Sequence, residues 1–91
     1  MADKLTEKEI IERLKKIPGW ERQGEEITRL YTFSGFIPAM AFVNHVADLA
    51  ESMDHHPDIL IQYRKVRLTL STHSAGGLTD LDFTLAQKID A

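Results

Sequence analysis

Apolar residues recur at intervals of three and four in three stretches of the chain, and each stretch predicts an amphipathic helix. In the first stretch, Thr6 and Glu9 have the spacing of a capping box, and Pro18-Gly19 ends the pattern. In the last stretch, Thr79 caps a helix that has Asp82 at its third position. The apolar faces of these two helices are predicted to be Ile10, Ile11, Leu14 and Ile17, and Leu81, Leu85 and Ile89.

The middle helix is predicted to run from about Phe36 to Asp54. Pro38 is tolerated there because N–H groups in the first helical turn have no intrahelical partner. Pro57 cannot continue a helix and biases His56 toward an extended conformation, so the helix should finish near His55. The predicted apolar stripe of this helix is Phe36, Met40, Val43, Val46 or Ala47, Ala50 and Met53.

Two pairs of short strands separate the helices. The predicted strands are Trp20 to Arg22, Ile27 to Phe33, Ile59 to Ile61 and Val66 to Ser71, with Gly24 in the turn of the first pair. In the fourth strand, apolar and polar residues alternate, so one face should be buried. The order α-β-β-α-β-β-α predicts one α+β domain over residues 1–91, a two-layer fold with a four-stranded antiparallel sheet and helices packed on one face.

Composition narrows the class of protein. The 91 residues include 11 basic and 14 acidic side chains, a formal net charge of −3, which argues against direct nucleic-acid binding. No apolar run is long enough for a membrane span and no secretory signal is visible, so we expect a cytoplasmic protein without membrane contact. The absence of cysteine excludes disulfides and thiolate metal sites. Because so small a domain has little core, we expect a homo-oligomer, either a dimer or a tetramer.

Three of the four histidines fall at predicted element ends. Glu51 and His55 are four residues apart, so they are expected to share one face of the last turn of the middle helix. The carboxylate would then orient the imidazole, while the negative end of the helix dipole favours the protonated ring. His56 follows the helix end, and His73 lies at the end of the fourth strand, where binding and catalytic residues are common.

Each of these residues also has a purely structural interpretation. A single histidine at a helix end is usually a capping or surface residue, and Glu51 could be a solvated helix charge. Asp82 stabilises a helix N-terminus whatever else it does, and Tyr63 could simply be an aromatic residue of a strand or hairpin. His45 projects from the middle of a helix with no motif around it, and we assign it to the surface.

Taken together, seven residues form a pattern with fixed spacing, Glu-x3-His-His-Pro-x5-Tyr-x9-His-x8-Asp: Glu51, His55, His56, Pro57, Tyr63, His73 and Asp82. This pattern resembles the signature of the pterin-4a-carbinolamine dehydratases. The surrounding words are also similar to that family: Gly19-Trp20, Asp54-His55-His56-Pro57, Leu70-Ser71-Thr72-His73 and Gly77-Leu78. The resemblance runs from about Trp20 to Ala86. One departure is Ile59, where many relatives carry a tryptophan, and this change would alter the apolar wall of the pocket.

The resemblance implies a hydro-lyase that dehydrates 4a-hydroxytetrahydrobiopterin to quinonoid dihydropterin in tetrahydrobiopterin recycling, with no cofactor. His55 would protonate the leaving hydroxyl while Glu51 holds its ring, and His73 would act as a second acid or base from the opposite side. His56 would chiefly bind the edge of the pterin. Asp82 would support His73 or the loop that carries it. Pro57 and Tyr63 complete the implied substrate-binding or supporting positions, and the family also implies helix-mediated tetramers built from dimers.

Two other classes of function stay open. The spacing of Glu51 and His55 could serve a metal ion, but neither an HExxH nor an HxxxH motif occurs, so no metal site is predicted. Alternatively, the chain could be a protein-interaction module without essential catalysis, because some members of the family also act as dimerisation cofactors of a transcription factor through a helix. The sequence identifies no such partner.

Overall fold

The computed structural model describes residues 3–91. It contains three α-helices and four strands in the predicted order α-β-β-α-β-β-α, which confirms the α+β fold. The elements are α1 (Glu7–Leu14), β1 (Glu21–Gln23), β2 (Glu26–Thr32), α2 (Phe36–Met53), β3 (Asp58–Gln62), β4 (Lys65–Leu70) and α3 (Asp80–Asp90). A short 3-10 turn, His73–Ala75, lies between β4 and α3.

The four strands form one antiparallel sheet in the order β1-β2-β4-β3. Strand β4 is central to the core: Val66, Leu68 and Leu70 are fully buried, while the residues between them point to the other face. Ile27 pairs with Leu70 and Ile59 with Leu68, so these side chains lie on the same face as the buried residues of β4. The opposite face of the sheet, which is mostly polar but carries Leu30 and Leu60, is called the open face below.

Helix α1 confirms the capping box, because Glu9 N–H donates to Thr6 Oγ1 and Thr6 N–H donates to Glu9 Oε1. It ends at Leu14, however, and the prediction that helical spacing continues to Ile17 is wrong. The amide of Ile17 bonds the carbonyl of Leu14 in a tighter i to i+3 turn. Ile17 is nevertheless buried, as its place in the apolar pattern predicts, although it lies in this turn and not in the helix.

Helix α2 has the predicted length to within one residue, and most of its predicted apolar stripe meets the core: Val46 and Ala50 are buried, and Val43 and Met53 pack against it. Ala39, Val46 and Ala50 are the buried positions, while Phe36 is 47% exposed and Ile37 is 76% exposed. The predicted stripe is therefore wrong at Phe36. Most residues of this helix are apolar, so the spacing alone did not exclude Phe36 from the buried face. The helix presents a second, exposed apolar surface.

Helix α3 confirms its predicted cap at Thr79. Its C-terminal residue Asp90 accepts hydrogen bonds from the Trp20 indole (2.8 Å), the Tyr31 hydroxyl (2.5 Å) and the Arg29 guanidinium (3.0 Å). Burial, together with this carboxylate, raises the pKa of Tyr31 well above its ordinary value. These contacts attach the end of α3 to the β1–β2 side of the sheet. Within residues 3–91 no helix has both the length and the apolar character needed to cross a membrane.

Candidate active site

The histidines His55, His56 and His73 line one concavity of about 230 Å³, which lies where α2 ends and β4 ends. The rest of its wall is made of acids and hydroxyls: Glu26, Asp54, Asp58, Thr69, Ser71, Thr72 and Ser74. Such a lining suits a small polar heterocycle that exchanges protons and hydrogen bonds with the protein. His45 is exposed on α2 and does not belong to this wall, as predicted.

The backbone at the end of α2 directs the two adjacent histidines. The helix stops at Met53, and Asp54 adopts the left-handed conformation with φ 49°. The amide of His55 then bonds the carbonyl of Ala50 at 3.1 Å, a typical helix C-terminal closure. Because the chain leaves the helical path at Asp54, His55 and His56 do not occupy helical positions. Pro57 follows, half-buried, and leads the chain into β3.

The predicted contact between Glu51 and His55 is wrong for this reason. Glu51 Oε2 lies 2.5 Å from His56 Nε2, and both side chains are largely exposed. The prediction assumed i, i+4 helical geometry, which requires the helix to continue through residue 55. Glu51 therefore orients His56 at the surface end of the site.

The partner of His55 is Asp82, in the first turn of α3. His55 Nε2 lies 2.6 Å from Asp82 Oδ1, and the two side chains are 9% and 0% exposed. An ionised carboxylate can only accept hydrogen bonds, so Nε2 carries the proton in this pair and Nδ1 is the ring nitrogen left for a ligand. The buried carboxylate is well satisfied, because its Oδ2 also accepts from Thr72 Oγ1 at 2.9 Å and from the Thr79 amide at 3.0 Å.

Asp82 thus joins both segments that carry the pocket histidines. Asp82 was predicted to support either His73 or the loop that carries it. Its hydrogen bond is with Thr72 of that loop, and the ring of His73 is not its partner. Among residues 3–91, ring hydrogen bonds of the pocket histidines are formed only by His55 and His56. His73 is exposed at the start of the 3-10 turn, and its imidazole faces the pocket without a protein partner.

Sequence reasoning missed Thr72, which is the buried link in this network. Its Oγ1 lies 2.8 Å from Thr79 Oγ1, and its backbone bridges to Gly77, closing the loop that carries His73. The alternation in β4 contained the necessary information. Val66, Leu68 and Leu70 point inward, so the residue at position 72, in phase with them, is expected to point inward too. A threonine at that position needs a buried hydrogen-bond partner.

Of the predicted site residues, Tyr63 is the one that neither lines this pocket nor contacts or adjoins a residue that lines it. It lies in the turn between β3 and β4, is 68% exposed and has φ 55°. Asp58 pairs with Thr69 at the pocket end of these strands, whereas Gln62 pairs with Lys65 at the far end. The four steps along the strand from Asp58 to Gln62 span about 13 Å.

The structure also bears on the metal alternative. Residues 3–91 contain no group of three or more histidine, cysteine, aspartate or glutamate side chains placed to hold a metal ion. The two shortest imidazole contacts are instead with the carboxylates of Asp82 and Glu51. The site is thus a set of imidazoles, two with acidic partners and one open to solvent.

Comparison with known proteins identifies relatives of this architecture. Residues 3–91 match the family described as pterin 4 alpha carbinolamine dehydratase. A protein of Acidobacterium capsulatum is 58% identical, over 96% of this chain and 95% of its own length. One from Thermomicrobium roseum is 54% identical, over 94% of this chain and 92% of its own length. Both names assign these proteins only provisionally as pterin-4-alpha-carbinolamine dehydratases.

Two solved structures resemble this fold. One, from Brucella melitensis, is described as a transcriptional coactivator/pterin dehydratase; it has a TM-score of 0.93 and 40% identity, covering 97% of this chain and 96% of that chain. The other is a pterin dehydratase-like protein described as a RuBisCO assembly factor in the alpha-carboxysome, with a TM-score of 0.67 over 79% of this chain. At 24% identity, the second likeness concerns the fold alone.

Proposed function

This chain belongs to the pterin 4 alpha carbinolamine dehydratase family, and we propose that it removes water from a 4a-hydroxytetrahydropterin to give a quinonoid dihydropterin. The observation that carries this proposal is the single concavity lined by His55, His56 and His73. Within the family's chemistry, 4a-hydroxytetrahydrobiopterin is the natural first candidate, and its dehydration would serve tetrahydrobiopterin recycling. The reacting ring is the same whatever substituent stands at C6.

The reaction requires two proton transfers. The bond between C4a and the hydroxyl oxygen breaks, the departing oxygen takes a proton to leave as water, and N5 loses its proton as the C4a=N5 bond forms. Imidazole serves both steps because it titrates near neutral pH and holds a proton on either nitrogen. Two rings on opposite sides of the C4a–N5 bond could therefore carry out both transfers.

We assign the proton donor to His55. Its Nε2 is fixed by Asp82, so the carboxylate stabilises the imidazolium and directs Nδ1 to the leaving hydroxyl. His73, without a protein partner and open to solvent, would accept the N5 proton and pass it to water. In this scheme Asp82 replaces Glu51 as the group that orients the acid.

The remaining wall of the pocket suits the pterin ring itself. The pyrimidine edge of a pterin carries N–H donors at the 2-amino group and N3, and acids complement such donors. Asp54, at the end of α2, lines the concavity on the helix side, together with His56, which Glu51 orients. These groups would orient the ring while His55 and His73 act on C4a and N5.

The test is the dehydration rate of His55→Gln and His73→Gln from pH 6 to 9, with His45→Gln as the matched control. General acid–base assistance is worth about 10²–10⁴-fold, so each pocket variant should lose a large part of that factor. His45→Gln, on the exposed side of α2, should keep the wild-type rate. Wild-type rates in both pocket variants would rule out the acid–base scheme.

We further propose that the protein is a homo-oligomer assembled through the exposed apolar surface of α2. Phe36 and Ile37 are both large and exposed on this helix. Ile37→Glu should therefore lower the mass measured by light scattering from that of a dimer or tetramer. A wild-type protein that is monomeric at micromolar concentration would contradict this proposal.

The same surface favours the second candidate function, a module that binds another protein. Ile37→Glu separates the two functions, because it lies on α2 far from the pocket wall. A dehydratase should keep its turnover of pterin in this variant, or lose it only in proportion to lost assembly. A protein with no dehydratase activity in its wild-type form would leave the interaction function as the better account.

A further inference from the structure

A second groove continues from the pocket across the open face of the sheet. It has a volume of about 380 Å³, and it shares Glu26 and Thr69 with the pocket of the three histidines. The two concavities are therefore neighbours along one surface. Nothing in the acid–base scheme uses the second groove.

Two arginines line this groove, and Arg67 is the one whose charge is not neutralised by an ion pair within residues 3–91. It is half-buried on β4, and its Nη1 donates to Thr28 Oγ1 at 3.1 Å. No carboxylate forms an ion pair with it in the part of the chain that the structure describes. The other arginine that lines the groove, Arg29, is paired with Asp90 at 3.0 Å. Arg67 can thus accept an anionic partner from outside the chain.

Its neighbours favour a substituent with an apolar body. Arg67 pairs in register with Leu30 of β2 and Leu60 of β3, so both flank it on the open face. Leu30 is 44% exposed and Leu60 is 52% exposed. A guanidinium between two exposed leucines can bind an oxyanion while the leucines contact the carbon atoms that lead to it.

Charge is divided along the open face. Glu26 and Asp58 stand at the histidine end, and Glu21 lines the wall of the groove opposite Thr28. Arg67 and, two residues earlier on β4, Lys65 stand at the other end. An anionic group is therefore repelled from the histidine end and attracted toward Arg67.

If the reacting atoms lie among the histidines, a substituent at C6 of the pterin can reach this second groove. C6 of a pterin is bonded to N5, so a 6-substituent begins beside the histidines and must leave the pocket by one of its sides. On the sheet side the wall is Thr69, and Arg67 lies two residues farther along β4, about 7 Å away. A substituent several bonds long can reach the guanidinium from that point.

We propose that this groove is a subsite for the 6-substituent, and that Arg67 selects pterins whose substituent ends in a carboxylate or a phosphate. The inference rests on the proposed function, since it assumes that the ring lies among the histidines. The inference adds a substrate class to the proposed function. Pterins with a neutral 6-substituent, such as biopterin, are accepted, and pterins with a sufficiently long anionic 6-substituent bind more tightly.

The test is a set of dissociation constants from fluorescence titration with three pterins. Biopterin is neutral, pteroate ends in a carboxylate and 6-hydroxymethylpterin diphosphate ends in a phosphate, so the two anionic arms identify the preferred group. The proteins are the wild type, Arg67→Gln, Arg67→Lys and the matched control Arg64→Gln, from the exposed turn at the far end of the strands. Circular dichroism checks that each variant is folded.

We expect the wild type and Arg64→Gln to bind at least one anionic pterin about tenfold more tightly than biopterin, the effect of one charge-assisted contact. Arg67→Gln should lose that preference without changing the affinity for biopterin, and Arg67→Lys should keep part of it. Equal affinities for all three pterins in the wild type, or a preference that survives in Arg67→Gln, would overturn the inference while leaving the dehydratase proposal intact. Failure of the wild type both to bind any of these pterins and to dehydrate a 4a-hydroxytetrahydropterin would overturn both.

Discussion

His55 Nε2 and Asp82 Oδ1 lie 2.6 Å apart, and this hydrogen bond joins the end of α2 to the first turn of α3. The carboxylate is fully buried, so its position is fixed by the core rather than by solvent. Because the same carboxylate accepts from Thr72, the loop that carries His73 depends on it too. The relative placement of the two proposed catalytic rings therefore depends on one buried acid.

Replacing Asp82 tests this dependence. Asp82→Asn puts an N–H donor where His55 and Thr72 or Thr79 already donate, so either a buried hydrogen bond is lost or the ring of His55 must move its proton from Nε2 to Nδ1. We expect the free energy of unfolding to fall by about 1–3 kcal/mol and the dehydration rate to fall about tenfold or more. Urea unfolding and steady-state kinetics measure the two effects. Asp80→Asn, an exposed acid in the same helical turn, is the control and should change neither by much.

Thr72 offers a finer test of the same network. Thr72→Val keeps the shape of the side chain but leaves Asp82 Oδ2 with one donor fewer, which should cost about 1–2 kcal/mol of unfolding free energy. Thr72→Ser keeps the hydroxyl and should retain nearly the wild-type dehydration rate. If the valine and serine variants had equal activity, the hydroxyl would not be what positions the loop of His73.

Glu51 should matter much less than its place in the family pattern implies. Its contact with His56 is solvent-exposed, and exposed ion pairs contribute about 0.2–1 kcal/mol. Glu51→Gln should therefore lower kcat/KM by less than about fivefold, and the effect should shrink further in high salt. Steady-state kinetics at two salt concentrations check this. A loss larger than that of Asp82→Asn would restore Glu51 as the partner of the catalytic acid.

The raised pKa of Tyr31 should make the stability of the protein fall at high pH. Burial and the Asp90 carboxylate raise the pKa of this phenol in the folded state above its ordinary value of about 10. The stability that this shift contributes is present below the unfolded-state pKa and is lost as the pH rises above it, because the unfolded chain releases the proton first. The urea midpoint should therefore fall above about pH 10, and less steeply in Tyr31→Phe. Parallel curves for the two proteins would show that Tyr31 is not responsible.

Much of the fold was predictable because local chemistry and tertiary packing agree. Thr6 and Thr79 cap their helices as predicted, and the alternation in β4 matches its burial. The buried face of α2 was predicted at Val43, Val46, Ala50 and Met53 but not at Phe36, because exposed apolar residues such as Phe36 and Ile37 also occur on this helix. Contacts with the sheet, rather than periodicity, decide between two apolar faces.

In the candidate site, too, some features were predictable from the sequence and others were not. Spacing and family resemblance indicated the three histidines, which the fold does bring to one pocket. Their partners were assigned wrongly, because the left-handed Asp54 ends α2 before His55, so that Glu51 contacts His56 and the partner of His55 is Asp82. A single residue with positive φ is enough to do this, and an aspartate gives only a weak indication of it. Tyr63 shares the family pattern but lies at the other end of the β3–β4 hairpin.

The most direct test of the central claim is a magnetic resonance titration of the histidine ring signals with 7,8-dihydrobiopterin. All three pocket rings should shift with a single dissociation constant, because one ligand lies among them, while the exposed ring of His45 stays unchanged as an internal control. Signals of His55 and His56 that shift while His73 remains still, or that titrate with a different constant, would contradict a shared site.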